Sequence, residues 1–211
     1  MKNSSRVRAA LFAIGALALL GGVVPARAGV VVTVGSATVS AGGSGSFDIT
    51  LANTGASAQN IAGFGLAIAT TDPDITFTGA DFSTLLPYVF AGDSWDVANG
   101  FAFVTSAPGQ TLSASDLSNS GTGNDIAAAT SVGLARVLFS VSGGATAGAF
   151  PVTLTAYPAT SLNDSTFANV PFTSVDGSIT IQAGTAVPEP SAFLPLLLSV
   201  PFLLRGARRR R

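Results

Sequence analysis

The sequence predicts an all-β protein, an antiparallel sandwich of eight or nine short strands, and three observations predict it. Between residues 30 and 182, apolar and polar positions alternate with period two and show almost no helical periodicity. Gly, Asn and Asp clusters punctuate these runs at short intervals, as hairpin turns require. The stretch from 29 to 185 is about 157 residues long, enough to bury a core between two sheets. The chain has no Cys, so that core stands without staples.

Val30–Val34 and Ala37–Val39 flank Gly35-Ser36 and open the sandwich, and Ala41 to Gly45 turns the chain. Phe47, Ile49 and Leu51 alternate with Asp48 and Thr50 up to an Asn53-Thr54-Gly55 turn. Phe64, Leu66 and Ile68 repeat the period with Gly65, Ala67 and Ala69 opposite. Asp72-Pro73-Asp74 turns into a short strand from Ile75 to Gly79, and Gly100–Thr105 alternates around Phe101 and Phe103. Ser106–Thr130, rich in Ser, Thr, Gly, Asn and Ala, reads as a long loop with a short helix near Ser115–Leu117. Its hydroxyls are candidate O-glycan acceptors. Val132–Val141 follows, and the step from Leu134 to Val137 predicts a bulge near Arg136. Phe150–Ala156 and Gly177–Ile181 complete the strands.

The two ends read as addresses. Lys2, Arg6 and Arg8 precede an apolar run from Ala9 to Val24, and Ala26 and Ala28 stand at the −3 and −1 positions of a cut before Gly29. That is a secretory signal peptide over 1–28, the substrate of a signal peptidase, and the chain is expected to be exported. At the other end, 186–211 runs from Val187-Pro188-Glu189-Pro190-Ser191 through the apolar segment 192–204 into an Arg-rich tail. As a helix, those 13 residues reach about 20 Å at ~1.5 Å each, short of a bilayer core of roughly 30 Å. Pro195 and Pro201 would kink it. Arg205, Arg208, Arg209, Arg210 and Arg211 would hold the tail on the cytoplasmic side. A marginal span with a stop signal suits a transient hold for a processing enzyme.

Charge divides along the same boundaries. The formal net charge is −1, but residues 29–185 hold ten Asp against Arg136 alone, a body of −9 between basic ends. An acidic body repels phosphate backbones, so no nucleic-acid partner is expected. With no Cys and no His, disulfides, thiolate nucleophiles, Ser-His-Asp triads and most zinc or copper sites are excluded.

Two resemblances add to this reading. The Val187–Ser191 box, short apolar helix and Arg-rich tail resemble the PEP-CTERM sorting signal of Gram-negative bacteria. The resemblance implies processing near the box by an exosortase, with Pro188, Glu189 and Pro190 as substrate residues. It implies a transient inner-membrane intermediate, then the cell surface or a matrix of exopolysaccharide and biofilm. The segment departs from the common form in its two prolines and its shortened apolar run. Across 29–185, the order Phe47–Leu51, Ile61–Ile68, Asp72–Phe77 and Val175–Ile181 looks like a cohesin-type jelly roll, related to some carbohydrate-binding modules. True cohesins bind dockerins through a sheet face, but no recognition residue can be carried across.

The function expected is that of a non-enzymatic exported surface or matrix protein. A carbohydrate- or calcium-dependent adhesion module is the first alternative. For it, Tyr88, Trp95 and Asp96 are candidate glycan contacts, because exposed aromatics beside carboxylates stack on sugar rings; equally, Trp95 and Phe90 fill the core. Asp72 with Asp74, and Asp93 with Asp96, are candidate oxygen ligands for Ca²⁺ or ordinary turn residues. Arg136 either receives an acidic glycan or pairs with an Asp. The second alternative, a polysaccharide-acting enzyme, would need two paired carboxylates from a body without Glu.

Overall fold

A computed structural model describes residues 29–82, 84, 87–99, 109–156 and 158–183. Both expected terminal signals, with Ala26, Ala28, the Val187–Ser191 box and the tail arginines, lie outside the described residues, as does the expected strand at Gly100–Thr105. Among the described residues, no helix is long and apolar enough to cross a membrane.

The strands are β1 (Val30–Val34), β2 (Ala37–Ser40), β3 (Ser44–Asn53), β4 (Gln59–Ile61), β5 (Gly63–Ala69), β6 (Ile75–Asp81) and β7 (Thr111–Leu117). After them come β8 (Asn124–Ile126), β9 (Thr130–Val141), β10 (Gly148–Leu154), β11 (Ser161–Asn163), β12 (Thr173–Val175) and β13 (Gly177–Gln182). A single helical turn, α1 (Trp95–Asn99), lies between β6 and β7. One sheet runs β12-β1-β3-β9-β6; the other runs β11-β5-β10-β13-β2 and carries β7 beside β5. A small β4-β8 ladder stands apart. Strand alternation is visible in burial: Phe47, Ile49 and Leu51 are buried while the residues between them are half-buried.

Among the described residues, all pairs of named strands are antiparallel except two. β1 pairs parallel with β12, and β2 pairs parallel with β13. The first strand run therefore changes sheets at Gly35-Ser36 and the last at Asp176-Gly177, so the first and last described strand runs stitch the sheets together. The crossing is tight: a Cβ on Gly177 would sit 2.1 Å from the Gly35 carbonyl oxygen.

The bulge expected near Arg136 is present. Ile49 faces Ala135 and Thr50 faces Gly133, which leaves Leu134 as the extra residue and turns both Leu134 and Ala135 inward. Two aromatic groups fill the core. Phe47 meets Phe77 edge-on at 6.3 Å and Phe139 at 6.0 Å, while Phe64 stacks on Phe90 at 5.9 Å.

The expected loop over Ser106–Thr130 is wrong in its described part. β7 pairs with β5 through seven residue pairs, and β8 pairs with β4. The short helix placed at Ser115–Leu117 is strand. Inward positions of β7 are Leu112, Ala114 and Asp116, so the alternation ends in a small residue and a carboxylate and carries little apolar signal. The extra strands beyond nine come mostly from three-residue ladders.

Candidate functional site

The segment carrying the sequence-predicted aromatics crosses one side of the sandwich. Gly133 N donates to Pro87 O at 2.7 Å and Val89 N donates to Gly133 O at 3.0 Å, which staples the segment to β9. Ser94 then caps α1, its hydroxyl accepting from Val97 N at 3.1 Å. The result separates the candidate residues. Tyr88 and Asp96 are buried and Phe90 is core, whereas Trp95 is 37% exposed. Tyr88, Trp95 and Asp96 therefore form no common exposed platform. Of the two core candidates, Phe90 fills the core and Trp95 does not.

What holds Tyr88 is a residue that the sequence reading missed. Asp116, 2% exposed, accepts from Tyr88 OH at 2.5 Å and Ser94 Oγ at 2.6 Å, and from the backbone N–H groups of Leu117 at 2.7 Å and Asp96 at 3.1 Å. Burial, then the hydrogen bond and charge of Asp116, push the Tyr88 phenol well above the usual tyrosine value. Tyr88 thus stays a neutral donor. Four donors occupy the carboxylate, so this centre locks the crossing segment to β7 and leaves no lone pair aimed at solvent chemistry. The only sequence signal was an aspartate in register with Leu112 and Ala114.

Asp72 and Asp93 hold turns, and Asp96 is buried in α1. Asp74 N donates to Asp72 Oδ1 at 2.8 Å, closing a turn before β6. Asp93 accepts from the hydroxyls of Ser118 and Ser120 and from Ser120 N at 2.9 Å. The Ser118 hydroxyl first, then that of Ser120, hold the Asp93 carboxyl below its usual range. Among the described residues, no group of three or more carboxylates gathers as metal ligands would. Arg136 pairs with an Asp, as one reading expected: its Nε and Nη2 reach the two Asp48 oxygens at 2.7 and 3.0 Å.

An open trough lies on the outer face of β7-β5-β11. Gly63 and Gly65 form its floor, Ser115 and Leu117 one wall, Ser161 and Asn163 the other, and its volume is about 390 Å³. The turn at Asp164–Ala168 closes one side. Asp164 Oδ1 accepts from Thr166 N at 2.8 Å, Thr166 Oγ1 at 2.7 Å and Ala168 N at 3.0 Å, while Ser165 N donates to Asn60 Oδ1 at 2.9 Å. These bonds hold Phe167 at φ 62°, in the left-handed region that bulky residues avoid, and leave the residue 88% exposed.

The glycines of the floor are not there for want of space. A Cβ on Gly65 would meet Ser161 Oγ at 3.5 Å and one on Gly63 would meet Leu117 Cβ at 3.7 Å, both ordinary contacts. Glycine inside a strand weakens it and often marks a place where another chain approaches closely.

This architecture is shared with known proteins. CaCohA2 of Clostridium acetobutylicum, solved in complex with CaDoc0917, superposes with a TM-score of 0.58 at 20% identity, covering 72% of this chain and 99% of that one. The body has the cohesin fold. The third cohesin ScaC of Acetivibrio cellulolyticus, in complex with the ScaB dockerin, gives 0.55 at 21% identity over 72% of this chain and 98% of that one. A non-cellulosomal cohesin from the archaeon Archaeoglobus fulgidus gives 0.51 at 12% identity over 77% and 94%. No family model matches the chain, and no curated protein matches it.

Proposed function

We propose that this protein is an exported, non-catalytic binding module. In this reading the leader is removed before Gly29, an exosortase processes the Val187–Ser191 box, and the cohesin-fold body reaches the cell surface or an exopolysaccharide matrix. There the body docks a protein partner in the β7-β5-β11 trough. The observation that carries the docking is the pairing of a glycine floor, which packing does not require, with a strained aromatic held out beside it. Strain of this kind persists where surrounding bonds over-determine it, and it clusters at binding sites. Solved neighbours with this fold form complexes, ScaC with a dockerin among them, which supports a protein as the partner. The sealed Asp116 centre and the body without Glu favour binding over catalysis.

The test places a photo-crosslinking phenylalanine analogue at position 167 of the full chain in the producing cell, with the same analogue at exposed Leu138 as control. A discrete protein adduct from position 167, lost when Gly65 is replaced by Val, is expected. No adduct, or the same adducts from both positions, overturns the docking face. Mass spectrometry of the terminal peptides tests the sorting reading separately: a start at Gly29 and an end within the box are expected, and an intact Arg211 in the membrane fraction overturns processing.

A further inference from the structure

Carboxylates stand along the rim of the β7-β5-β11 trough. Asp164 lines the trough directly. Asp93 holds Ser118, another lining residue. Asp125 Oδ1 accepts from Asn60 Nδ2 at 2.8 Å, and Asn60 in turn holds the closing turn at Ser165. Arg136, the only basic residue between 29 and 185, lies on β9 in the other sheet with Asp48 against it. We infer that the protein segment docked in the trough presents an arginine or lysine side chain, its stem laid along the glycine floor and its cation set between the Phe167 ring and Asp164. This rests on the docking proposed above and names the chemistry of the partner.

An ion pair at an exposed rim contributes little by itself, because water and salt screen it. Features of the trough add to it. The stem of a basic side chain is apolar and packs along apolar surface while its head stays wet. Gly63 and Gly65 put no side chain in the path of that stem, and Leu117, 44% exposed, offers it a wall. Phe167 belongs to the same turn as Asp164, its N–H donating to the Asp164 carbonyl at 2.9 Å. Aromatic surface and a carboxylate in one turn both attract a single cation. The donors that close the turn, Thr166 N, Thr166 Oγ1 and Ala168 N, all go to Asp164 Oδ1, so the turn does not occupy Oδ2.

The rim selects by sign. The Thr166 hydroxyl above all keeps the Asp164 carboxyl below its usual range, as the Ser118 hydroxyl does for Asp93. Both stay negative through neutral and mildly acid pH. An acidic segment is therefore repelled, and a neutral one forgoes the rim.

The test is an NMR titration of the labelled full chain, with the basic residues outside 29–185 changed to glutamine so that they do not compete. The probes are a short peptide carrying two arginines, the same peptide with citrulline, which keeps the shape and loses the charge, and the same peptide with glutamate. Saturable shifts of the Gly65, Ser165, Thr166 and Phe167 amides are expected with the arginine peptide, several-fold weaker with citrulline and absent with glutamate. They should weaken as sodium chloride is raised. Asp164→Asn keeps a side-chain oxygen for the turn and removes the charge; Phe167→Leu keeps an apolar side chain and removes the ring. Each should weaken the arginine response several-fold while the remaining spectrum stays in place. Silence with the arginine peptide, equal responses to arginine and citrulline, or shifts that map elsewhere would overturn the proposal. So would a position-167 adduct in cells that forms equally well in the Asp164→Asn chain, an outcome that leaves the docking face standing. Failure of the docking reading looks different: no adduct in cells, with the arginine peptide still bound in the trough.

Discussion

At Asp116 a carboxylate sits in the core and accepts from two hydroxyl and two amide donors. Among the described residues, no buried side-chain nitrogen or oxygen lacks a partner. Removing this one acceptor would orphan two hydroxyls and two N–H groups at once. Asp116→Ala is expected to cost about 3 kcal/mol or more, because hydrogen bonds to charged groups are strong and stranded donors are costly. Tyr88→Phe removes one donor and should cost only about 1 kcal/mol. Urea unfolding of both variants checks the ordering; equal losses would show that the carboxylate is not the centre of the network.

Among the elements, the glycines make a sharp contrast. Gly177→Ala drives a methyl group into the Gly35 and Val34 carbonyls at the sheet crossing and should destabilise by about 1–3 kcal/mol, as overpacking does. Gly65→Ala meets ordinary contacts in a strand interior and should leave the melting temperature unchanged or raised. Thermal melts of the pair decide whether the trough floor is free of structural duty; a large loss at Gly65 would give it one. Strands whose inward positions are Phe, Ile and Leu, such as β3, were legible from sequence, and so was a bulge near Arg136, since a break in period two is itself a pattern. β7 was hidden because its inward row ends in Ala114 and Asp116. The trough was hidden for a different reason: Gly65 and Ser161 face each other across β5 and β11 while lying far apart in the chain, and no local pattern joins them. Phe167 drew no reading from the sequence, because a positive φ on a non-glycine leaves no mark in composition.

For the whole molecule, the acidic body makes low pH the weak side. Asp93 and Asp164 both titrate below their usual 3.8 because hydroxyl and amide donors favour their charged forms; for Asp164 the Thr166 hydroxyl is the largest cause. A depressed folded value means the unfolded chain binds the proton first, so this stabilisation is present above the unfolded pKa and is lost as pH falls through the folded one. Melts from neutral into the acid range should therefore fall most steeply below 3.8, and Asp93→Asn with Asp164→Asn should flatten that slope; an unchanged slope would assign acid sensitivity to other groups. The parallel pairing of the first and last strand runs has a mechanical consequence. With β1 beside β12 and β2 beside β13 pointing the same way, a pull applied at Gly29 and Ala183 slides neighbouring strands along each other. All bridging hydrogen bonds then bear the load together, where an antiparallel terminal pair would peel open one bond at a time. A module tethered at one end and tugged at the other would meet that force with its strongest geometry.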